Sequence, residues 1–157
     1  MRTLTDLDEK EILALAISSE EEDGRIYADF AESLRDEYPD SARVFADMAL
    51  EESEHRRMLI DTFVEKFGTH IPLVRRQDVR GTVARRPAWQ VRPLGIEAVR
   101  GMARQMEVDA SRFYTDAEVL RPDFVAQVVA AIAAARPWVG FLNQVLPLEA
   151  PGVGNDG

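Results

Sequence analysis

Two long stretches of this chain place their apolar or small residues at steps of three and four, with one longer gap in each stretch. In the first stretch these positions are Leu13, Ile17, Gly24, Tyr27, Ala31 and Leu34. In the second stretch they are Val44, Met48, Leu59 and Phe63. This period predicts two amphipathic helices of about 28 residues, each roughly 40 Å long. Since only Tyr38-Pro39-Asp40 separates them, we expect an antiparallel helical hairpin.

Local signals predict where these two helices begin and end. Thr5 or Asp6 is expected to cap the first helix, because its side-chain oxygen can accept from free backbone N–H groups. The first helix should run to about Asp36. The second should begin near Asp40 or Ser41 and end at residue 68, a glycine.

After the second helix the amino-acid composition changes, and two further helical patterns follow. Residues 69–95 hold three prolines, two glycines and six arginines, which predicts a long crossover with a short helix around residues 78–84. Its arginines fit a solvated connection, the preferred interpretation, or a basic surface for anionic lipid or an acidic partner. A third helix should run from Gly95 or Ile96 to Leu120, and a fourth from Phe124 to about Val145 with a kink at Pro137.

Length and composition bound the class of protein. The 157 residues fit one helical domain: a hairpin at 5–68, the crossover at 69–95, a second hairpin at 96–146, and a flexible tail at 151–157. The chain has no cysteine, which excludes thiolate metal sites and favours the cytoplasm. A net charge of −9 argues against nucleic acid as a partner. No membrane span is expected, because Arg136 and Pro137 interrupt the most apolar stretch.

Three ionisable residues occupy inward positions of the first two helices. Glu20 fills the step that the first apolar series skips, and Glu52 and His55 continue the second series. Burying a carboxylate without a partner costs roughly several kcal/mol of folding free energy. These residues therefore need a bound cation or hydrogen bonds. A spacing of three places Glu52 and His55 on one helix face, and this donor set suits iron, manganese or zinc. Two other interpretations remain open: an exposed acidic face, or a buried polar network without metal.

A seven-residue spacing occurs twice in the chain. Glu20 precedes Tyr27 by seven residues, and Glu107 precedes Tyr114 by seven. The repetition indicates an internal duplication of one helical hairpin. Each tyrosine could donate a hydrogen bond to a metal ligand or an electron to the metal, or it could be an amphipathic core residue.

These residues give the chain a family resemblance over about residues 4–117. The resembling segments run from Glu11 to Asp23, from Arg25 to Tyr27, from Glu51 to Arg56, and from Glu107 to Tyr114. The chain resembles the rubrerythrin branch of the ferritin-like superfamily. It looks most like the N-terminal domain of membrane-bound ferritins, which join such a domain to an iron-transporting membrane domain.

The resemblance implies a fold, a cofactor and an activity. The implied fold is all-α, a ferritin-like four-helix bundle of two antiparallel hairpins. The implied centre holds two irons, with Glu20, Glu52, His55 and Glu107 as metal ligands and no further catalytic residue. The implied function is oxidation of Fe(II) by O₂ or peroxide, with a membrane transporter as a further partner. A non-catalytic helical module for dimerisation or regulation, with a degenerate metal site, is the alternative.

The C-terminal third departs from the family pattern. The fourth helix of the family repeats Glu-x-x-His, and the spacing from Glu20 to Glu52 places that repeat at Val139 and Leu142. No glutamate or histidine occurs between Pro122 and Pro147. Three explanations remain: a second chain completes the site in a shared or domain-swapped homodimer, the site holds one metal, or the altered C-terminus has abolished it. The homodimer is the preferred one.

Overall fold

The structure is a computed structural model that describes the backbone of residues 1–133 and the side chains of residues 1–130. Within this part of the chain there are five helices: α1 (Glu9–Leu34), α2 (Pro39–Phe67), α3 (Ala88–Val91), α4 (Ile96–Leu120) and α5 (Pro122–Ala133). Two strands of two residues each, β1 (Arg2–Thr3) and β2 (Val79–Arg80), pair in parallel. The all-α prediction is therefore confirmed.

The first hairpin begins differently from the sequence expectation and ends as expected. Residues Leu4–Asp6 form a 3-10 turn, and Asp8 rather than Thr5 or Asp6 caps α1 by accepting from the backbone N–H of Glu11 at 2.8 Å. Asp8 and Glu11 form a capping box, because the Glu11 carboxylate in turn accepts from the backbone N–H of Asp8. At the other end of the hairpin, α2 stops at Gly68, whose φ of 91° favours glycine.

The inward positions of α1 and α2 form the interface between them. The six inward positions predicted for α2 are all buried: Val44, Met48, Glu52, His55, Leu59 and Phe63. One apolar cluster, around Phe30 and Phe45, surrounds the end of the hairpin near its turn. Another, around Leu13 and Phe63, surrounds the opposite end. The ionisable inward residues therefore lie between two apolar clusters, where little water can solvate them.

The crossover does not contain the predicted helix at residues 78–84. Instead, Arg76–Asp78 form a 3-10 turn and β2 pairs with β1, with Val79 opposite Arg2. Gly81 follows at a φ of 90°, a conformation that a right-handed helix cannot include. The pairing fastens the crossover to the start of the chain, and Ser18 of α1 holds it further by donating to the carbonyl of Val74 at 2.5 Å.

The second hairpin packs on the first. Helix α4 has the predicted bounds. After it, α5 packs against the C-terminal part of α4 and the ends of the first hairpin. There the ring centroids of Phe124 and Phe67 lie 6.1 Å apart. The predicted kink at Pro137 lies outside the described residues. Within residues 1–133, no helix combines the length and apolar character needed to cross a membrane.

Candidate metal centre

Glu20, Glu52 and His55 come together in the middle of the first hairpin. Each offers one ligand atom, and these atoms all lie within 4.8 Å of one another. Their exposed fractions are 5%, 3% and 1%. The helical period accounts for this arrangement, because it carries all three side chains to the face that each helix turns toward the other. Carboxylate oxygen and imidazole nitrogen within this distance can bind iron, manganese or zinc.

The described residues leave one carboxylate oxygen of this cluster without a hydrogen bond. Glu20 Oε1 accepts from the hydroxyl of Tyr114 at 2.8 Å, and Glu20 Oε2 lies 3.8 Å from His55 Nδ1. Glu52 Oε2 is buried and has no hydrogen-bond partner among the described residues. Since buried polar groups in proteins are nearly always paired, this oxygen favours a bound cation over a closed polar network. The donor set therefore fits a metal ion.

Glu107, the fourth predicted ligand, lies in the middle of α4 and is 5% exposed. Its Oε1 accepts from the hydroxyl of Tyr27 at 2.8 Å, while its Oε2 is buried without a hydrogen-bond partner among the described residues. It does not belong to the group of three within 4.8 Å. The structure thus places Glu107 across from the first hairpin, with one oxygen directed to Tyr27 and the other unsatisfied.

Two reciprocal hydrogen bonds join α1 and α4. Tyr27 of α1 donates to Glu107 of α4, and Tyr114 of α4 donates to Glu20 of α1. The seven-residue repeat places each glutamate opposite the other helix's tyrosine, because α1 and α4 run in opposite directions. Burial and the adjacent carboxylate raise the pKa of both tyrosines well above the usual value, so both hydroxyls remain protonated donors at neutral pH.

Burial is the main cause of the raised pKa of Glu107. Burial raises the pKa of Glu107 from 4.5 to about 8, although the hydrogen bond from Tyr27 lowers it. The charges of Asp23, Glu20 and Glu51 also contribute to this raised pKa. Without a cation, Glu107 therefore holds a proton at neutral pH, and a metal that binds there must displace that proton.

A glycine lets the two helices approach each other at the site. A Cβ atom built on Gly24 of α1 would lie 3.3 Å from the Cβ of Glu52 and 3.9 Å from the carbonyl oxygen of Ala49. The first distance is tighter than an ordinary van der Waals contact. The predicted inward position of Gly24 therefore has a local function: it leaves room for Glu52 beside α1.

Sequence reasoning missed a buried ion network next to the centre. Arg76 of the crossover donates to both carboxylate oxygens of Asp23 at 2.8 and 2.9 Å. Arg85 donates to Asp23 at 3.0 Å and to Asp109 of α4 at 2.8 Å. The arginine side chains are 8% and 4% exposed, so at these two positions the expectation of a solvated crossover is wrong. The missed signal was Asp23, a further acidic residue one helical turn from Glu20.

A cavity of about 390 Å³ adjoins the centre on the side of the crossover. Glu20 and Tyr114 form part of its wall, together with Ser19 and Phe113. This volume is sufficient for water and small oxidants. Two acidic neighbours of the candidate ligands in sequence do not line this cavity: Glu21 is exposed, 3.8 Å from both Arg25 and Arg56, and Glu54 is exposed.

The described part of the second hairpin offers few further ligands. Within Pro122–Ala133 the single ionisable residue is Asp123. Val139 and Leu142, the positions that correspond to the missing Glu-x-x-His, lie outside the described residues. The centre described here thus consists of three clustered donors and Glu107.

One comparison with known proteins, the scan of family models, gave a match. Comparison with curated proteins and with solved structures gave no significant match. The family model for rubrerythrin matches residues 11–134, which include all four candidate ligands. With four-fifths of its length matched, two hairpins joined by a crossover and a carboxylate–histidine cluster inside the first hairpin, the chain belongs to the rubrerythrin family.

Proposed function

We propose that the protein binds iron at Glu20, Glu52, His55 and Glu107 and oxidises Fe(II) with O₂ or peroxide. The observation that carries this proposal is the buried cluster of donor atoms within 4.8 Å, with a carboxylate oxygen of Glu52 left unsatisfied. Hard carboxylate oxygens favour the higher charge of Fe(III), and this preference makes electron loss from Fe(II) more favourable. Membership of the rubrerythrin family supports iron over manganese or zinc.

Iron is the substrate in this proposal. With peroxide, two Fe(II) ions each lose one electron, and one H₂O₂ with two protons becomes two water molecules. With O₂, four Fe(II) ions and four protons give two water molecules. The cavity beside Glu20 and Tyr114 provides space for the oxidant and for the water formed.

The protein's own residues hold the carboxylates and a proton in place. Tyr114 orients Glu20, and Tyr27 orients Glu107, through hydroxyl donors that do not ionise at neutral pH. Glu107 carries a proton before the cation binds and releases it afterwards. Its Oε2 is the oxygen that becomes available when that proton leaves.

We further propose that two chains complete one another's site in a homodimer. Besides Glu107, each chain supplies a cluster of three donors, and the described part of α5 adds no glutamate or histidine. Two copies of Glu20, Glu52 and His55 across a twofold axis would supply six ligands.

Anaerobic titration with Fe(II), followed by exposure to air, tests the metal proposal. Wild-type protein should bind Fe(II) and then develop an absorption band of ferric iron bound to oxygen ligands. Glu52→Ala should abolish both, whereas Glu54→Ala, which alters an exposed neighbour on the same helix, should leave both unchanged. Equal binding by the two variants would refute Glu52 as a ligand.

The absence of a glutamate or histidine from the described part of α5 favours one other candidate, a helical module without iron chemistry. Stability of the metal-free protein separates the two. If Glu52 awaits a cation, Glu52→Leu should stabilise metal-free protein, because a buried unsatisfied carboxylate is removed. If Glu52 belongs to a structural network, the same change should lower the unfolding free energy by about 1–3 kcal/mol.

A further inference from the structure

Arg85 reaches the metal centre from the crossover without touching any candidate ligand. Its guanidinium donates to three acceptors that the proposed chemistry does not use: Asp23 of α1, Asp109 of α4 and the carbonyl of Met106 in α4, the last at 3.2 Å. The side chain is 4% exposed. A planar guanidinium with five donors is the side chain best suited to hold several acceptors at fixed angles.

The acceptors of Arg85 flank the candidate ligands on both helices. Met106 directly precedes Glu107, and Asp109 follows it by two residues. Asp23 lies on α1 between Glu20 and Tyr27, three residues from the first and four from the second, and therefore on the same helix face. The guanidinium of Arg85 thus donates hydrogen bonds to α4 on both sides of Glu107. It also donates to α1 at a position between Glu20 and Tyr27.

Arg85 thus spans the gap between α1 and α4 at the level of the centre. The reciprocal hydrogen bonds of Tyr27 with Glu107 and Tyr114 with Glu20 cross the same gap at 2.8 Å each. Arg76 pairs with Asp23 and, among the described residues, makes no hydrogen bond or ion pair to α4, so it fixes the crossover to α1 alone. Among the four charged residues of the network, Arg85 is the one that bridges the two helices.

We propose that Arg85 is a positioning residue of the metal centre, which holds α4 at the distance from α1 that brings Glu107 to the cluster of Glu20, Glu52 and His55. This inference rests on the proposed function, since it concerns the geometry of the same centre. Partners that orient metal ligands typically change metal affinity by about 10- to 100-fold when they are removed.

The test must separate positioning from stability, because Arg85→Met alone leaves Asp109 buried and uncompensated. The double variant Arg85→Met, Asp109→Leu removes one charge of each sign and leaves Asp23 paired with Arg76. Arg85→Lys keeps the charge in a side chain that cannot hold three acceptors in one plane. Arg75→Met is the matched control, because Arg75 lies on the same crossover and pairs locally with Asp78.

Two readouts are needed: Co(II) binding with its visible absorption spectrum, and amide hydrogen exchange of metal-free protein. We expect the double variant to unfold near the wild-type temperature, to bind Co(II) about tenfold or more weakly with an altered spectrum, and to exchange faster at residues 104–110. Arg85→Lys should fall between wild type and the double variant. Arg75→Met should match wild type in both readouts.

Wild-type affinity, spectrum and exchange in the double variant would overturn the proposal and leave Arg85 a structural residue only. If the double variant does not fold, Arg85→Lys decides by the same measurements. If wild-type protein binds neither Co(II) nor Fe(II), the proposed metal function fails. Hydrogen exchange of residues 104–110 then still decides whether Arg85 holds α4, since it is measured without metal.

Discussion

Gly24 shows how a single residue controls the position of a candidate ligand. In a helix interior, replacing glycine with alanine usually adds about 0.5–1 kcal/mol of stability, because the unfolded chain loses conformational freedom. At Gly24 the new methyl group would lie 3.3 Å from the Cβ of Glu52, so Glu52 or the helix must shift by a few tenths of an ångström. The stability gained from the higher helix propensity of alanine is therefore offset by the close contact with Glu52.

We expect Gly24→Ala to weaken Fe(II) or Co(II) binding several-fold with little change in the unfolding free energy. Gly101→Ala is the matched control, since Gly101 lies within α4 and a Cβ there meets no atom within 4 Å. It should stabilise the protein by about 0.5–1 kcal/mol and leave metal binding unchanged. Metal titration and chemical denaturation of both variants check this. Unaltered affinity in Gly24→Ala would mean that Glu52 does not depend on this close approach.

Glu107 predicts an unusual pH dependence for the metal-free protein. Its pKa is about 8 in the folded state and near 4.5 when unfolded, so between these values the folded state binds more protons. Stability must then fall as pH rises, by at most about 1.4 kcal/mol per pH unit within this window, and the loss is complete above pH 8. Denaturation at a series of pH values from 5 to 8.5 measures it.

Glu107→Gln should remove this slope, because a glutamine does not titrate and can still accept from Tyr27. Metal binding provides a second check, since displacement of the proton from Glu107 should make Co(II) affinity rise with pH up to about pH 8. A stability profile of Glu107→Gln with the wild-type slope would assign the pH dependence to another group.

Sequence periodicity was sufficient to identify Glu20, Glu52 and His55 as neighbours, because a helix fixes which side chains share a face. It could not identify the bridging arginines. The arginines of the crossover look alike in sequence, and only the folded path distinguishes the buried Arg76 and Arg85 from exposed ones. The period also identified both tyrosines, but not which glutamate each would bond, since that depends on how α1 and α4 pack.

At the scale of elements, we expect the packing of α4 on α1 to be stabilised by their two reciprocal hydrogen bonds. Tyr114→Phe leaves Glu20 Oε1 without its donor and should lower the unfolding free energy of metal-free protein by about 1–3 kcal/mol. Tyr38→Phe is the control, because the Tyr38 hydroxyl has no hydrogen bond among the described residues. Denaturant unfolding with and without metal is the measurement. Equal stability of the two variants would show that the Tyr114 bond is not maintained in solution.

Phe124, Val125 and Val128 attach helix α5 to the apolar cluster at the end of the first hairpin. Phe124 is 7% exposed, contacts Phe67, and lies 5.8 Å from the Lys66 ammonium. Phe124→Ala should cost about 3–5 kcal/mol, as for other buried phenylalanines. Val119→Ala, at a position 77% exposed near the end of α4, should cost little. Thermal unfolding compares them, and a small effect at Phe124 would mean that α5 packs more loosely than described.

Long helices were predictable as elements, and short irregular ones were not. The bounds of α4 and the end of α2 follow from periodicity and glycine alone. The helix expected at residues 78–84 is a 3-10 turn and a strand instead, because pairing with Arg2 and Thr3 supplies backbone partners that local sequence does not reveal. Tertiary contacts of this kind override weak local propensity.

For the whole molecule, iron stoichiometry and assembly mass should be measured on one sample. A site shared across a twofold axis predicts a dimer with about one iron per chain. Two irons per chain would mean a complete centre in each protomer and would contradict the shared site. A monomer that binds one iron would indicate a mononuclear centre, and a monomer that binds none would favour the helical module.

The parallel pairing of β1 with β2 has a consequence for how the centre assembles. Glu20, Glu52 and His55 belong to one hairpin, whereas the bonds of Tyr27 to Glu107 and of Tyr114 to Glu20 join residues 80 and 94 positions apart. The strand pair, with Arg2 opposite Val79, closes a loop around that entire hairpin. Contacts between distant residues form later on average than local ones. A cation that requires Glu107 therefore stabilises only the closed chain, and its binding reports that the last part of folding is complete.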